Sequence, residues 1–246
     1  MVHLRPLPGA ARYQGDLSAV IETAVADAST LAGAGFDAVI VENYGDAPFV
    51  ADDVPKVTVA AMTRAVDAVG AVGLPVGINV LRNDAMAALA VASTTAASFI
   101  RVNVLSGTMF TDQGPIVGRA ADVARFRAAH CPEVMIMADV FVKHATPPPG
   151  LTLEEATRDL ADRSGADAII VSGPATGVAA DLADLRVVAA TTSLPVYAGS
   201  GVTADSIGVI LEVADGVIVG TATKPGGRVE APVDAMLAQQ IVKAAG

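Results

Sequence analysis

Two glycine-rich segments stand where an apolar run ends. In PVYAGSGVTADSI (195 to 207) the run stops at Gly199-Ser200-Gly201, just before a stretch that Thr203 can open as a helix, and VIVGTATKPGG (217 to 227) repeats the arrangement. Glycines beside outward-pointing backbone N–H groups are a common bed for an anion. Gly199, Ser200, Gly201, Gly220, Thr221 and Lys224 are therefore candidate phosphate-binding residues. Either motif alone is weak, because glycines also serve tight corners. Their occurrence in successive apolar runs gives the signal its weight.

A second group of chemistry-bearing residues sits at alternate positions. In FIRVNV (99 to 104) the pleat of a strand puts Ile100, Val102 and Val104 on one face and Phe99, Arg101 and Asn103 on the other. The same parity selects His3 and Arg5 in the first run, Glu42 in AVIVEN, Asn79 in PVGINV and Asp139 in VMIMADV. An inward arginine is costly unless a carboxylate meets it, so Glu42 or Asp139 is the expected partner of Arg101. Both carboxylates are candidates for acid/base work or for holding a divalent metal ion, and the sequence does not choose between these roles.

Glu42, Arg101 and Asp139 are expected to form one open catalytic group rather than a structural plug, with Arg101 stabilising developing negative charge. Lys143 is a candidate Schiff-base amine or proton shuttle, with His144 beside it. His3, Arg5, Asn79, Asn103 and Ser172 are candidate substrate contacts. Tyr44, Asp46 and Asp112 lie on long connections within reach of a substrate. His130 ends a helix, where a helix-dipole role suits it better.

These positions converge only if the runs themselves converge. Eight β-branched runs appear, at 2 to 4, 38 to 43, 75 to 80, 99 to 104, 134 to 140, 168 to 173, 195 to 201 and 216 to 221, mostly separated by Ala-rich amphipathic segments. Asp16 can cap the helical pattern from Leu17, and Thr152 with Glu155 has capping-box spacing. GFDAVIVEN, GADAIIVSG and VADGVIVGT enter three runs in the same way, whereas three others follow a proline. Such alternation suits a closed (β/α)₈ barrel, a TIM barrel of the α/β class, as one domain over residues 1 to 246. A doubly wound open sheet is the alternative, and the chain lacks its G-x-G-x-x-G turn. The long connections, 44 to 55, 105 to 119 and 141 to 150, follow strands, so function belongs at the strands' carboxyl ends.

Composition narrows the partners. With 16 Lys and Arg against 26 Asp and Glu, the formal charge is −10, which speaks against nucleic acid. Cys131 is the lone cysteine, so the sequence offers neither an internal disulfide nor a cysteine-based zinc site. No signal-peptide core or membrane segment is apparent; a cytoplasmic location is expected, and a homo-oligomer is compatible with the pattern.

Taken together, VHLRPLPG, GFDAVIVENYGDAPF, PVGINVLRNDA, FIRVNVLSGTMFTDQGPIVGRA, ADVFVKHA and PVYAGSGVTADSI resemble the BtpA/SgcQ family across essentially the whole chain. The resemblance implies a phosphate-binding TIM barrel. The family takes its name from a cyanobacterial member implicated in photosystem I accumulation, and other members look like parts of carbohydrate or nucleoside utilisation systems. Two functions follow as expectations. One is an enzyme acting on a small phosphorylated metabolite by proton transfer, with isomerisation or lyase-type cleavage. The alternative is a noncatalytic assembly or stability factor.

Overall fold

The computed structural model describes residues 1–173 and 177–246. Eight parallel strands among them follow chain order: β1 (Val2–His3), β2 (Val39–Glu42), β3 (Val76–Asn79), β4 (Phe99–Val102), β5 (Met135–Asp139), β6 (Ala168–Val171), β7 (Val196–Ala198) and β8 (Gly216–Val217). The Met1 backbone nitrogen donates to the Val219 carbonyl at 2.8 Å, which brings the first and last strands together and closes the ring. A helix follows each strand: α1 (Leu17–Ala34), α2 (Lys56–Gly70), α3 (Ala85–Ala92), α4 (Ala120–His130), α5 (Leu153–Arg163), α6 (Leu182–Thr191), α7 (Ile207–Leu211) and α8 (Ala235–Ala245). The fold is the (β/α)₈ barrel that the alternation requires.

Local chemistry sets the helix ends. Asp16 accepts from the Ala19 N–H at 2.9 Å, and Gly35, at φ 98°, closes α1 in the left-handed region. The Thr152–Glu155 capping box is present at the start of α5. Outward-facing strand residues such as Val41, Ile78, Ile100, Ile136 and Ile169 form the main core with the helices. A second, luminal core holds Met1, Ile40, Phe99, Met137, Ile170 and Ile218. Gly77 is a glycine because a Cβ there would overlap the Phe99 ring.

Three expectations change. The connection from 105 to 119 carries a hairpin, Thr108–Thr111 against Gly114–Val117, with Ala145–Thr146 added alongside. Its Met109 and Ile116 pack on Val104 and Val142, while Phe110 and Val117 stay exposed. Pro115 and the brevity of each arm hide this hairpin from a pattern search. The eighth strand ends at Val217, well short of residue 221. Thr203 does not open a helix directly: its N–H meets Ser206 Oγ at 3.0 Å in a turn, and α7 begins only at Ile207.

Candidate active site

Each barrel strand carries its functional residue two positions beyond a luminal one. His3 follows Met1, Glu42 follows Ile40, Asn79 follows Gly77, and Arg101 follows Phe99; Asp139, Ser172, Gly199 and Gly220 follow Met137, Ile170, Tyr197 and Ile218. Period-two alternation thus delivers eight strand ends to the carboxyl mouth of the barrel.

On one side Arg101 meets Asp139. Nε donates to Oδ2 and Nη2 to Oδ1, both at 2.8 Å, and Ser172 Oγ donates to Asp139 Oδ1 at 2.7 Å. Burial alone would lower the Arg101 pKa, but Asp139 and Glu42 outweigh it and hold the guanidinium above its ordinary value. Asp139 has a side-chain exposure of 0%. In this geometry it is the buried counter-ion of Arg101, and the expected three-way group divides into this ion pair and a lone carboxylate.

That lone carboxylate is Glu42. Its Oε2 accepts from Asn79 Nδ2 at 2.7 Å, and Oε1 lies 3.8 Å from His3 Nε2. Burial, joined by the amino terminus at Met1 and the cations Lys224, Lys143 and Arg101, holds the His3 pKa well below its usual range, so the ring is neutral at pH 7. The Tyr44 ring stands edge-on to it, with centroids 5.2 Å apart.

Two cavities open at this mouth. The first is small, about 30 Å³, and is lined by His3, Arg101, Lys143, Gly177, Gly199, Ser200, Gly201, Gly220 and Thr221. The two glycine loops thus meet at one point. Gly199 N–H is used by the Val171 carbonyl at 2.8 Å, but the N–H groups of Ser200, Gly201, Gly220 and Thr221 have no backbone acceptor among the described residues. A Cβ at Gly199 would come 3.4 Å from Arg101 Nη2, which puts the guanidinium at the floor of the pocket. The second cavity, about 330 Å³, is lined by Glu42, Tyr44, Phe49, Leu81, Arg82, Asp112, Gln113, Lys143 and His144. Lys143 lines both. Burial lowers its pKa, with Arg101 and Arg82 adding to the effect and Glu42 and Asp139 opposing it.

Several residues chosen from the sequence lie elsewhere. Lys224 is buried behind the glycine pocket, where Nζ donates to the Val229 carbonyl at 2.7 Å and lies 3.7 Å from Asp27 Oδ2; it does not face the anion pocket. The Ser200 hydroxyl joins two loops, accepting from Gly173 N–H at 2.8 Å and donating to the Val178 carbonyl at 3.0 Å, so only its backbone N–H remains for an anion. Gly201 is required for packing: at φ 66°, its Cβ would lie 2.1 Å from the Ala179 nitrogen. Arg5 leaves the barrel with the chain after β1 and sits exposed in a neighbouring cleft of about 450 Å³. Asn103 is buried in a small cavity beside Asp139 and beneath the hairpin, and neither polar atom of its amide has a partner among the described residues. Arg82, which parity could not reach because it lies beyond the end of β3, is the mouth residue the sequence pattern misses.

Among the described residues, no group of three or more His, Cys, Asp or Glu side chains is placed to hold a metal ion. Glu42 is engaged with Asn79, and Asp139 with Arg101 and Ser172, so this donor set does not fit a divalent cation. No helix among the described residues is long and apolar enough to cross a membrane.

An eight-stranded parallel barrel whose carboxyl mouth joins a glycine-walled pocket to a polar cavity defines a protein of the TIM-barrel class. The chain belongs to the BtpA family, whose sequence model matches residues 1–246. It is 47% identical over 246 residues to the photosystem I biogenesis protein BtpA of Synechocystis, covering 99% of this chain and 86% of that one. An uncharacterised protein of Thermococcus kodakarensis is 47% identical over 247 residues, covering 100% of this chain and 93% of the relative. Among solved structures, (S)-3-O-geranylgeranylglyceryl phosphate synthase from Thermoplasma acidophilum, in complex with its substrate sn-glycerol-1-phosphate, superposes with a TM-score of 0.59 at 19% identity, over 92% of this chain and 87% of that one. At that identity the likeness concerns the fold.

Proposed function

We propose that this chain is an enzyme acting on a small phosphorylated carbonyl compound, a sugar phosphate or a nucleoside-derived phosphate. It moves a proton at the carbon beside the carbonyl, and isomerisation or carbon–carbon cleavage follows. The observation that carries this is the position of Lys143, which lines both the glycine-walled pocket and the cavity over Glu42. A phosphate on the N–H groups of Ser200, Gly201, Gly220 and Thr221, above Arg101, would present its carbon chain to Lys143 and then to Glu42.

Lys143, its amine made easier to deprotonate by burial, attacks the carbonyl carbon as the neutral amine; the carbonyl oxygen leaves as water with one amine proton and one proton taken up from solvent, and the nitrogen keeps its other proton as an iminium. Glu42, oriented by Asn79 and His3, takes the proton from the neighbouring carbon or hydroxyl. Asp139 and Ser172 position Arg101. The bound substrate named for the Thermoplasma barrel is a phosphate ester, which shares the phosphate of this substrate class though not its carbonyl.

The test is proton exchange from D₂O into a panel of aldose and ketose phosphates, followed by NMR, together with melting shifts. The native protein should exchange one of them. Glu42→Gln should stop exchange while melting still rises with the same phosphate. A panel that gives neither exchange nor a melting shift removes the enzymatic reading.

A second reading, a noncatalytic assembly factor, draws on the name of the Synechocystis relative and on the exposed Phe110 and Val117 of the hairpin. On that reading Glu42→Gln leaves the cellular phenotype intact.

A further inference from the structure

Arg82 has no part in the chemistry above, yet its surroundings are built with care. It is only 4% exposed, and it makes no ion pair among the described residues. Its one side-chain hydrogen bond there runs from Nη2 to the Lys143 carbonyl at 2.6 Å. Arg101 has Asp139 on two of its nitrogens; Arg82 has no such carboxylate among the described residues. A guanidinium taken out of water without an anion is strongly unfavourable. Burial accordingly pulls the Arg82 pKa below its ordinary value, against the opposing pull of Asp139, Glu42 and Asp112.

The backbone around Arg82 is clamped on both sides. Asn43 accepts from Leu81 N–H at 2.6 Å and donates to the Leu81 carbonyl at 3.3 Å. Asn83 accepts from Val104 N–H at 2.7 Å and donates to the Val104 carbonyl at 3.0 Å. Arg82 N–H itself donates to the Val50 carbonyl at 3.1 Å. Asp84, next in sequence, takes the Val54 and Ala87 N–H groups, each at 2.8 Å. The loop backbone is thus fixed at the mouth, and the Arg82 side chain is held there by its bond to the Lys143 carbonyl, which pre-organises the cation for a ligand. It lines the 330 Å³ cavity with Glu42 and Lys143. Gln113, at the hairpin tip, lines the same cavity with a buried Oε1 that has no hydrogen-bond partner among the described residues and can accept from a ligand hydroxyl.

We propose that Arg82 binds a second anionic group of the substrate, a carboxylate or a further phosphate, so that the substrate is anionic at both ends. One end sits in the glycine-walled pocket above Arg101; the other pairs with the Arg82 fork; the reacting carbons lie between, beside Lys143 and Glu42. The inference rests on the phosphate pocket of the proposed function and adds the second anchor. It makes the substrate class a phosphorylated sugar acid or a bisphosphate rather than a simple sugar phosphate.

The test is calorimetric binding of matched probes to the native chain and to Arg82→Gln and Arg82→Lys. Phosphoglycerate is compared with glycerol phosphate and phosphogluconate with glucose phosphate for the carboxylate, and fructose bisphosphate with fructose phosphate for the second phosphate. In the native chain at least one doubly anionic probe should bind about tenfold or more tighter than its singly anionic match, the scale of a charge-assisted fork. Arg82→Gln should erase that difference and leave the singly anionic probe unchanged, and Arg82→Lys should recover only part of it. Equal affinities within every native pair, or a difference that survives Arg82→Gln, overturn the second anchor and leave the phosphate pocket standing. Failure of every phosphorylated probe to bind overturns both.

Discussion

Arg101 and Asp139 form a two-point ion pair, with Nε–Oδ2 and Nη2–Oδ1 both at 2.8 Å and side-chain exposures of 1% and 0%. With Ser172 also bound to Asp139, the carboxylate has little left to offer a substrate. Removing it leaves Arg101 charged and uncompensated in the barrel, so Asp139→Asn should lower unfolding free energy by about 3–5 kcal/mol. Urea unfolding measures this. An Asp139→Asn protein as stable as the native chain would show that Arg101 has enough water or other partners without it.

His3 gives the barrel a pH dependence of definite sign. Burial keeps its pKa in the fold well below the ordinary 6.5, so below that value the unfolded chain takes up a proton that the native ring refuses. The resulting penalty is absent above about pH 6.5 and grows as pH falls towards the depressed native pKa, by up to ~1.4 kcal/mol per pH unit. His3→Gln should remove this component. The native-minus-variant difference in unfolding free energy should therefore fall as pH decreases below about 6.5. A difference that stays flat there means His3 is protonated within the fold.

The barrel and the inner half of the site were legible because both depend on a period of two. Once FIRVNV is a strand, Arg101 must follow Phe99 into the lumen, and the same step carries Ile40 to Glu42 and Met137 to Asp139. Parity fails where the chain turns away from the barrel axis beyond the strand. Arg5 and Asn103 continue the alternation on paper, but β1 stops at His3 and β4 at Val102, and their side chains leave the mouth. Lys224 and Arg82 sit in loops, where no period fixes direction; only the tertiary partners, Val229 and Asp27 for one and Lys143 for the other, decide where each cation goes. Which carboxylate neutralises which cation depends on distances that no pattern carries.

The two glycine loops can be separated by their response to a methyl group. At Gly220 the nearest atom to a new Cβ is His3 Cε1 at 3.1 Å, the edge of a side chain that can shift. Gly220→Ala should therefore cost less than about 1 kcal/mol of stability while intruding on the anion pocket. At Gly201 the added carbon meets the Val178–Ala179 backbone at a positive φ, and Gly201→Ala should cost about 1–3 kcal/mol. Inorganic phosphate should raise the melting temperature of the native chain and have a smaller effect on Gly220→Ala. An equal phosphate response in the two proteins would place the anion elsewhere.

Lys143 is the residue on which the proposed chemistry turns. It stands in the connection after β5 between Phe141 at φ 41° and His144 at φ 56°, two non-glycine residues in the left-handed region, so its backbone is held in an unusual course. Burial favours the neutral amine, as do Arg101 and Arg82, and the neutral amine is the form that attacks a carbonyl. Cyanoborohydride should therefore trap an adduct with a carbonyl phosphate, such as dihydroxyacetone phosphate or ribulose phosphate, and peptide mass mapping should place it on Lys143. The trapping rate should level off at a lower pH than an ordinary lysine with its pKa near 10.5 would require. Lys143→Arg keeps the charge and should give no adduct. Glu42→Gln should still be trapped yet fail to exchange the carbon-bound proton, because amine attack and proton removal belong to different residues. An adduct on another lysine, or proton exchange that continues undiminished in Lys143→Arg, would transfer carbonyl activation away from Lys143 and leave Glu42 to act without an iminium.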